Sequence, residues 1–99
     1  YVLAYLNRGM LFLDHYRYDE AFYDFKKVRS LDKNNPNALY GEGVILLRNN
    51  LKEKASLKLD SAYYYGCQLA DLHYNRGLSK LDLKQYKYRS FKFRLVNIS

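Results

Sequence analysis

From Leu3 to Leu13 the apolar residues Leu3, Tyr5, Leu6, Met10, Phe12 and Leu13 fall at three- and four-residue spacings, which winds them onto one broad face of an α-helix. Asp14 to Arg17 interrupts the pattern, and Tyr18, Ala21, Phe22, Phe25, Val28 and Leu31 resume it. Asp19 and Glu20 open this second helix and Lys26, Lys27 and Arg29 lie toward its end, as the helix dipole favours. Asp32 to Pro36 predicts a turn, because Asn-Asn-Pro does not continue a helix. Two antiparallel helices with a short link make an αα-hairpin.

A second hairpin follows. Asn35 or Asn37 can cap its first helix beside Pro36, and Leu39, Tyr40, Gly43, Val44, Leu46 and Leu47 carry the helical spacing. Asn49-Asn50 supplies a left-handed turn, Ala55, Leu59 and Ala62 mark the return helix, and Gly66 is an αL stop after Tyr63-Tyr64-Tyr65. A third hairpin opens at Ala70. Its return stretch, with Tyr86, Tyr88, Phe91, Phe93 and Leu95, partly alternates as a strand would, but the two preceding units set the expectation of a helix.

The hairpins share a beat. Gly9, Gly43 and Gly77 stand 34 residues apart, as do Ala21 and Ala55, and Phe25, Leu59 and Phe93 hold one large apolar place at the same interval. A glycine inside a helix costs about 1 kcal/mol relative to alanine, so three in phase imply a common cause. Close approach of a neighbouring helix is that cause, since only a residue without a side chain permits it.

A 34-residue helix-turn-helix with W-x-x-L-G-x-x-Y, then A-x-x-x-F, then P characterises the tetratricopeptide repeat, and this chain resembles that family. Tyr5, Arg8, Gly9 and Phe12 stand at the W, L, G and Y places, Tyr18-Asp19-Glu20-Ala21 opens the second helix as the family does, and Phe25 fills the F place. Leu39, Glu42, Gly43 and Leu46 take the four places in the second unit. In the third, His73, Arg76, Gly77 and Lys80 occupy them and only Gly77 fits, while Arg89 takes the small place of Ala21 and Ala55. Arg8 and Lys33 also depart from the family's Leu and Pro.

The resemblance implies an all-α, right-handed superhelical α-solenoid: one domain over 1–99, with units 2–35, 36–69 and a divergent or truncated 70–99. It further implies a protein-interaction scaffold whose first helices line a concave groove for a peptide or partner helix. By register the groove places are Leu3, Leu6, Met10 and Leu13, then Asn37, Tyr40, Val44 and Leu47, then Asp71, Tyr74, Leu78 and Leu81. The groove expected from these residues is apolar and aromatic, with Leu6, Met10, Tyr40, Val44, Tyr74 and Leu78 as its contact residues and the two tyrosines foremost. Leu6 and Met10 replace the Lys and Asn that hold chaperone C-terminal tails in the family, which argues against that partner. The same places equally suit contact with neighbouring repeats of a longer parent chain, or self-association through an end helix. The opening at Tyr1 and the structured look of the last residues suggest a fragment.

Composition adds three things. At 99 residues with 48% hydrophobic and 27% charged, the chain fits a globular domain, and no apolar run approaches the length of a membrane span. The lone Cys67 has neither a disulfide partner nor a second thiol for a metal, so burial as a small apolar residue is expected, with no cofactor or metal. Of the net charge of +7, Lys84, Lys87, Arg89, Lys92 and Arg94 contribute five with no acid among them. Their interleaving with aromatics is a pattern of single-stranded nucleic-acid binders, which makes nucleic acid or another acidic ligand the alternative partner through Lys87, Arg89, Lys92 and Arg94. No nucleophile or ligand spacing accompanies His15 or His73, and no glycine loop follows a strand, so no enzymatic role is expected.

Overall fold

The computed structural model describes residues 1–81. The expected last helix, its basic residues Lys87, Arg89, Lys92 and Arg94, and Phe93 lie outside these described residues. Within them the chain is all-α: α1 Val2–Asp14, α2 Tyr18–Leu31, α3 Pro36–Arg48, α4 Lys52–Tyr64 and α5 Leu72–Lys80. Each helix packs on the next in sequence, α1 also touches α3, and α3 touches α5, whereas α2 and α4 do not meet. The odd-numbered helices therefore line up on one side and the even-numbered ones on the other.

The turns repeat in atomic detail. Between α1 and α2, the amide of His15 bonds the carbonyls of Leu11 and Phe12, Tyr16 bonds Leu13 and Arg17 bonds Phe12; between α3 and α4, Asn49 bonds Ile45 and Leu46, Asn50 bonds Leu47 and Leu51 bonds Leu46. Every donor and acceptor is displaced by 34 residues. Tyr16 and Asn50, also one period apart, have φ of 60° and 62°. The left-handed turn expected at Asn50 is thus present, and its counterpart falls on a tyrosine, where the side chain disfavours that conformation and gives no sequence signal.

Elsewhere the units differ for local reasons. Asn35 caps α3 by accepting from the Ala38 amide at 3.0 Å, with Pro36 in the first turn. One period later stand Leu69 and Ala70, which supply neither device, and α5 begins only at Leu72. Gly66, at φ 95°, ends α4 and lets the Cys67 amide return to the Ala62 carbonyl.

Two apolar clusters hold the layers together. One gathers Leu6, Ala21, Phe25, Val28, Ala38 and Ile45; the other gathers Leu39, Tyr40, Val44, Leu59, Ala62, Cys67 and Leu72. Met10 and Leu13 pack against both and join them. Phe25 and Leu59, at one repeat place, are fully buried, each against the glycine sixteen residues before it. A Cβ on Gly9 would lie 2.8 Å from Phe25 Cε1, and one on Gly43 2.7 Å from Leu59 Cδ2. Two of the three phased glycines, Gly9 and Gly43, are thus points of close helix approach. Gly77 meets nothing within 4 Å among the described residues.

Candidate functional site

Register on the odd-numbered helices chose the expected groove residues, and the structure separates them. Leu6, Tyr40 and Val44 are buried in the core, Met10 and Leu78 are half-buried, and Tyr74 is 68% exposed. Tyr40 is held by α5: its hydroxyl accepts a 3.0 Å hydrogen bond from Asn75 Nδ2, which also donates to the Asp71 carbonyl. Burial of the hydroxyl raises the Tyr40 pKa above its ordinary value, and the bond from Asn75 offsets part of that rise. Tyr40 is therefore a packing residue with a polar tip, and Tyr74 is the member of the pair that faces solvent.

Between α1, α3 and α5 lies an open cavity of about 220 Å³, lined by Leu13 and Asp14 of α1, Tyr16 and Tyr18 of the following turn and helix, Tyr40, Val44 and Arg48 of α3, and Asp71 and Asn75 at α5. Of the six expected contact residues it takes in Tyr40 and Val44 and leaves out Leu6, Met10, Tyr74 and Leu78. Asp14, Arg48, Asp71 and Asn75 place charged and amide groups on its wall beside the apolar Leu13 and Val44. The apolar side chains at the groove places are largely consumed in joining the helices, so charged and amide side chains at their margins face the opening. Asp14, Tyr16, Tyr18, Arg48 and Asn75 were not among the residues read from sequence as groove places. Asn75 carried one usable signal: an amide one period after Gly41.

A second set of polar residues also escaped the sequence reading. Arg8 forms a two-pronged pair with Asp24, Nε to Oδ2 at 2.8 Å and Nη2 to Oδ1 at 2.7 Å, and Asp24 is fully buried. The hydrogen bond to Asp24, and then its charge, raises the Arg8 pKa. One period on, buried Glu42 accepts from Arg29 Nη1 at 2.7 Å and lies 4.0 Å from Lys58 Nζ. At the third such place Arg76 donates to Asp60 at 3.0 Å, and Lys80 joins the same carboxylate at 2.9 Å. Arg8, Glu42 and Arg76, 34 residues apart, are all ion-paired, with the sign alternating plus, minus, plus.

Cys67 is buried, which pushes its thiol up and away from the reactive thiolate. His15 Nδ1 lies 2.9 Å from the Leu11 carbonyl in the first turn, and His73 stacks edge-on against Tyr63 with ring centroids 5.4 Å apart. Among the described residues no group of three or more His, Cys, Asp or Glu is arranged to hold a metal ion, and no helix is long and apolar enough to cross a membrane. Comparison with family models, with curated proteins and with solved structures found no match to this chain.

Proposed function

We infer that the chain is a tetratricopeptide-like array, a right-handed superhelix of helix pairs, that works as a protein-interaction scaffold and takes a peptide or partner helix on the face shared by α1, α3 and α5. The observation that carries this reading is the in-phase repetition of the turns, which sets the odd-numbered helices side by side with one cavity among them. A repeat array of this kind presents a continuous surface rather than a closed site. Arg48, Asp14 and Asp71 on the cavity wall suit a ligand that brings polar or charged side chains, and the exposed Tyr74 and half-buried Leu78 of α5 offer apolar area outside the cavity. The reading assigns the chain no catalytic step.

Peptides selected from a random display library against the 99-residue protein test it. Arg48→Glu and Tyr74→Ala change exposed side chains, so the unfolding midpoint should hold while affinity for the selected peptides falls about tenfold or more. Undiminished affinity in both variants refutes the groove. The nucleic-acid alternative rests on the charge of Lys87, Arg89, Lys92 and Arg94 in the sequence. Oligonucleotide binding that weakens steeply with salt, together with failure of the peptide selection, would favour it.

A further inference from the structure

The helix places that carry one hairpin on the next are related by the repeat. In α3 they are Ala38, Gly41, Glu42 and Ile45, all buried, with Phe25, Val28 and Arg29 of α2 against them. In α5 the equivalent Leu72, Asn75 and Ser79 are buried and Arg76 is half-buried, with α4 packed alongside. In α1 the equivalents are Ala4, Asn7, Arg8 and Leu11, and all four are exposed, Leu11 at 57%. Among the described residues no helix covers them.

Both covered examples obey one rule of charge. Glu42 receives a base, Arg29 of α2, and Arg76 receives an acid, Asp60 of α4, together with the Tyr63 ring centred 4.2 Å from its guanidinium carbon. Arg8 stands at this same place. Its Nε and Nη2 are taken by Asp24, while Nη1 makes no hydrogen bond among the described residues.

We propose that the Ala4–Asn7–Arg8–Leu11 face of α1 is a docking surface for an amphipathic helix of a partner protein that presents an acid to Arg8 and an aromatic ring one turn further on, as Asp60 and Tyr63 of α4 do for α5. The surface continues an interface type the chain already builds twice, and the charge of Arg8 selects which version fits. A second copy of the chain docked α1 to α1 would set Arg8 against Arg8. The site is separate from the cavity on the α1, α3 and α5 face.

The test uses the intact chain and the two helices that pack in this way within it, α2 on α3 and α4 on α5. A synthetic peptide of residues 51–66 carries Asp60 and Tyr63; one of residues 17–33 carries Lys26 and Arg29 at the matching places. Titrated into the isotope-labelled protein, the first should shift the amide signals of Ala4 to Leu11 and bind about tenfold more tightly than the second, from the sign of the single charge contact. Asp60→Lys in the peptide should abolish that preference without touching the protein. The double variant R8E/D24K reproduces the Glu42 and Lys58 arrangement of the second unit and should invert the order of the two peptides. Equal binding of both peptides, shifts confined to α5, no binding to the wild-type chain, or α1 shifts that grow with protein concentration alone would each overturn the proposal, the last by making a second copy the occupant.

Discussion

Phe25 is the side chain on which the first two hairpins turn, and Gly41→Ala is the substitution that tests it. The ring is fully buried, and it fills the space where two glycines lack a Cβ: a Cβ on Gly9 of α1 would lie 2.8 Å from Cε1, and one on Gly41 of α3 would overlap Cε2 and Cζ. Carbon atoms in contact settle at roughly 3.5–4 Å. An alanine at 41 therefore requires the ring to retreat by more than about 1 Å, and the direction of retreat is toward the backbone of Gly9.

Two effects oppose each other. Alanine improves the helix by about 1 kcal/mol over glycine, while overpacking a well-filled core costs about 1–3 kcal/mol and occasionally more. Because the ring is blocked on both edges, the upper part of that range applies and the net loss should be about 2 kcal/mol. For a domain of this size that lowers the thermal midpoint by about 10 °C. Urea and thermal unfolding of Gly41→Ala against wild type measure it, and the double variant G41A/F25L should recover at least half of the loss, since leucine already serves at this place as Leu59 in the second unit. A Gly41→Ala protein as stable as wild type would refute the wedge.

Three further predictions follow from the polar contacts. Tyr40→Phe removes the hydroxyl that accepts from Asn75 and should cost about 1 kcal/mol in urea unfolding, with the fold unchanged by circular dichroism. Arg29→Met leaves buried Glu42 with only the 4.0 Å contact to Lys58 and should cost about 3 kcal/mol, whereas the double variant R29M/E42L should lie near wild type because neither charge is then stranded. At Asp60, burial alone would raise the carboxyl pKa, but hydrogen bonds from Lys80 and Arg76, and their charges, outweigh it and hold the group below its ordinary value. A folded-state value below the unfolded one gives stability that is complete above the unfolded carboxylate range, about pH 4, and is lost as pH falls through the lowered value. The slope of stability against pH below about pH 4 should therefore shrink in Asp60→Asn, measured by urea unfolding at a series of pH values.

What was legible in the sequence was the backbone plan. Helix periodicity, the Asn35-Pro36 start, the Asn50 turn and the Gly66 stop are local signals that depend on a few adjacent residues, and each lies where it was expected. Gly9 and Gly43 were legible because a helix tolerates glycine so poorly that repetition at one phase demands a cause. Gly41 was not, since a second glycine two residues before Gly43 looks like mere permissiveness until Phe25 is seen against it. Tyr16 at φ 60° was hidden because tyrosine does not advertise a left-handed turn. Side-chain pairing fared worst: Arg8 read as a blemish in a family pattern, although its partner Asp24 lies only sixteen residues on.

At the groove places Tyr40 and Val44, burial in the core and a position on the cavity wall coincide, for a reason that lies in how closely the hairpins stack. Register predicts which way a side chain points, but whether that direction is solvent or core depends on how closely the next hairpin stacks. Here α5 comes near enough for Asn75 to reach the Tyr40 hydroxyl, so a residue at a groove place becomes part of the joint between units. A ligand pressing on the cavity would then load the α3–α5 joint as well, because Tyr40 and Asn75 line the cavity and also hold each other. If a selected peptide engages the cavity, it should stabilise α5 against unfolding more than its own burial on α3 accounts for. Hydrogen exchange of the α5 amides, slowed by peptide in the wild type and much less in Tyr40→Phe, would register that coupling, and protection confined to α3 in both proteins would dispose of it.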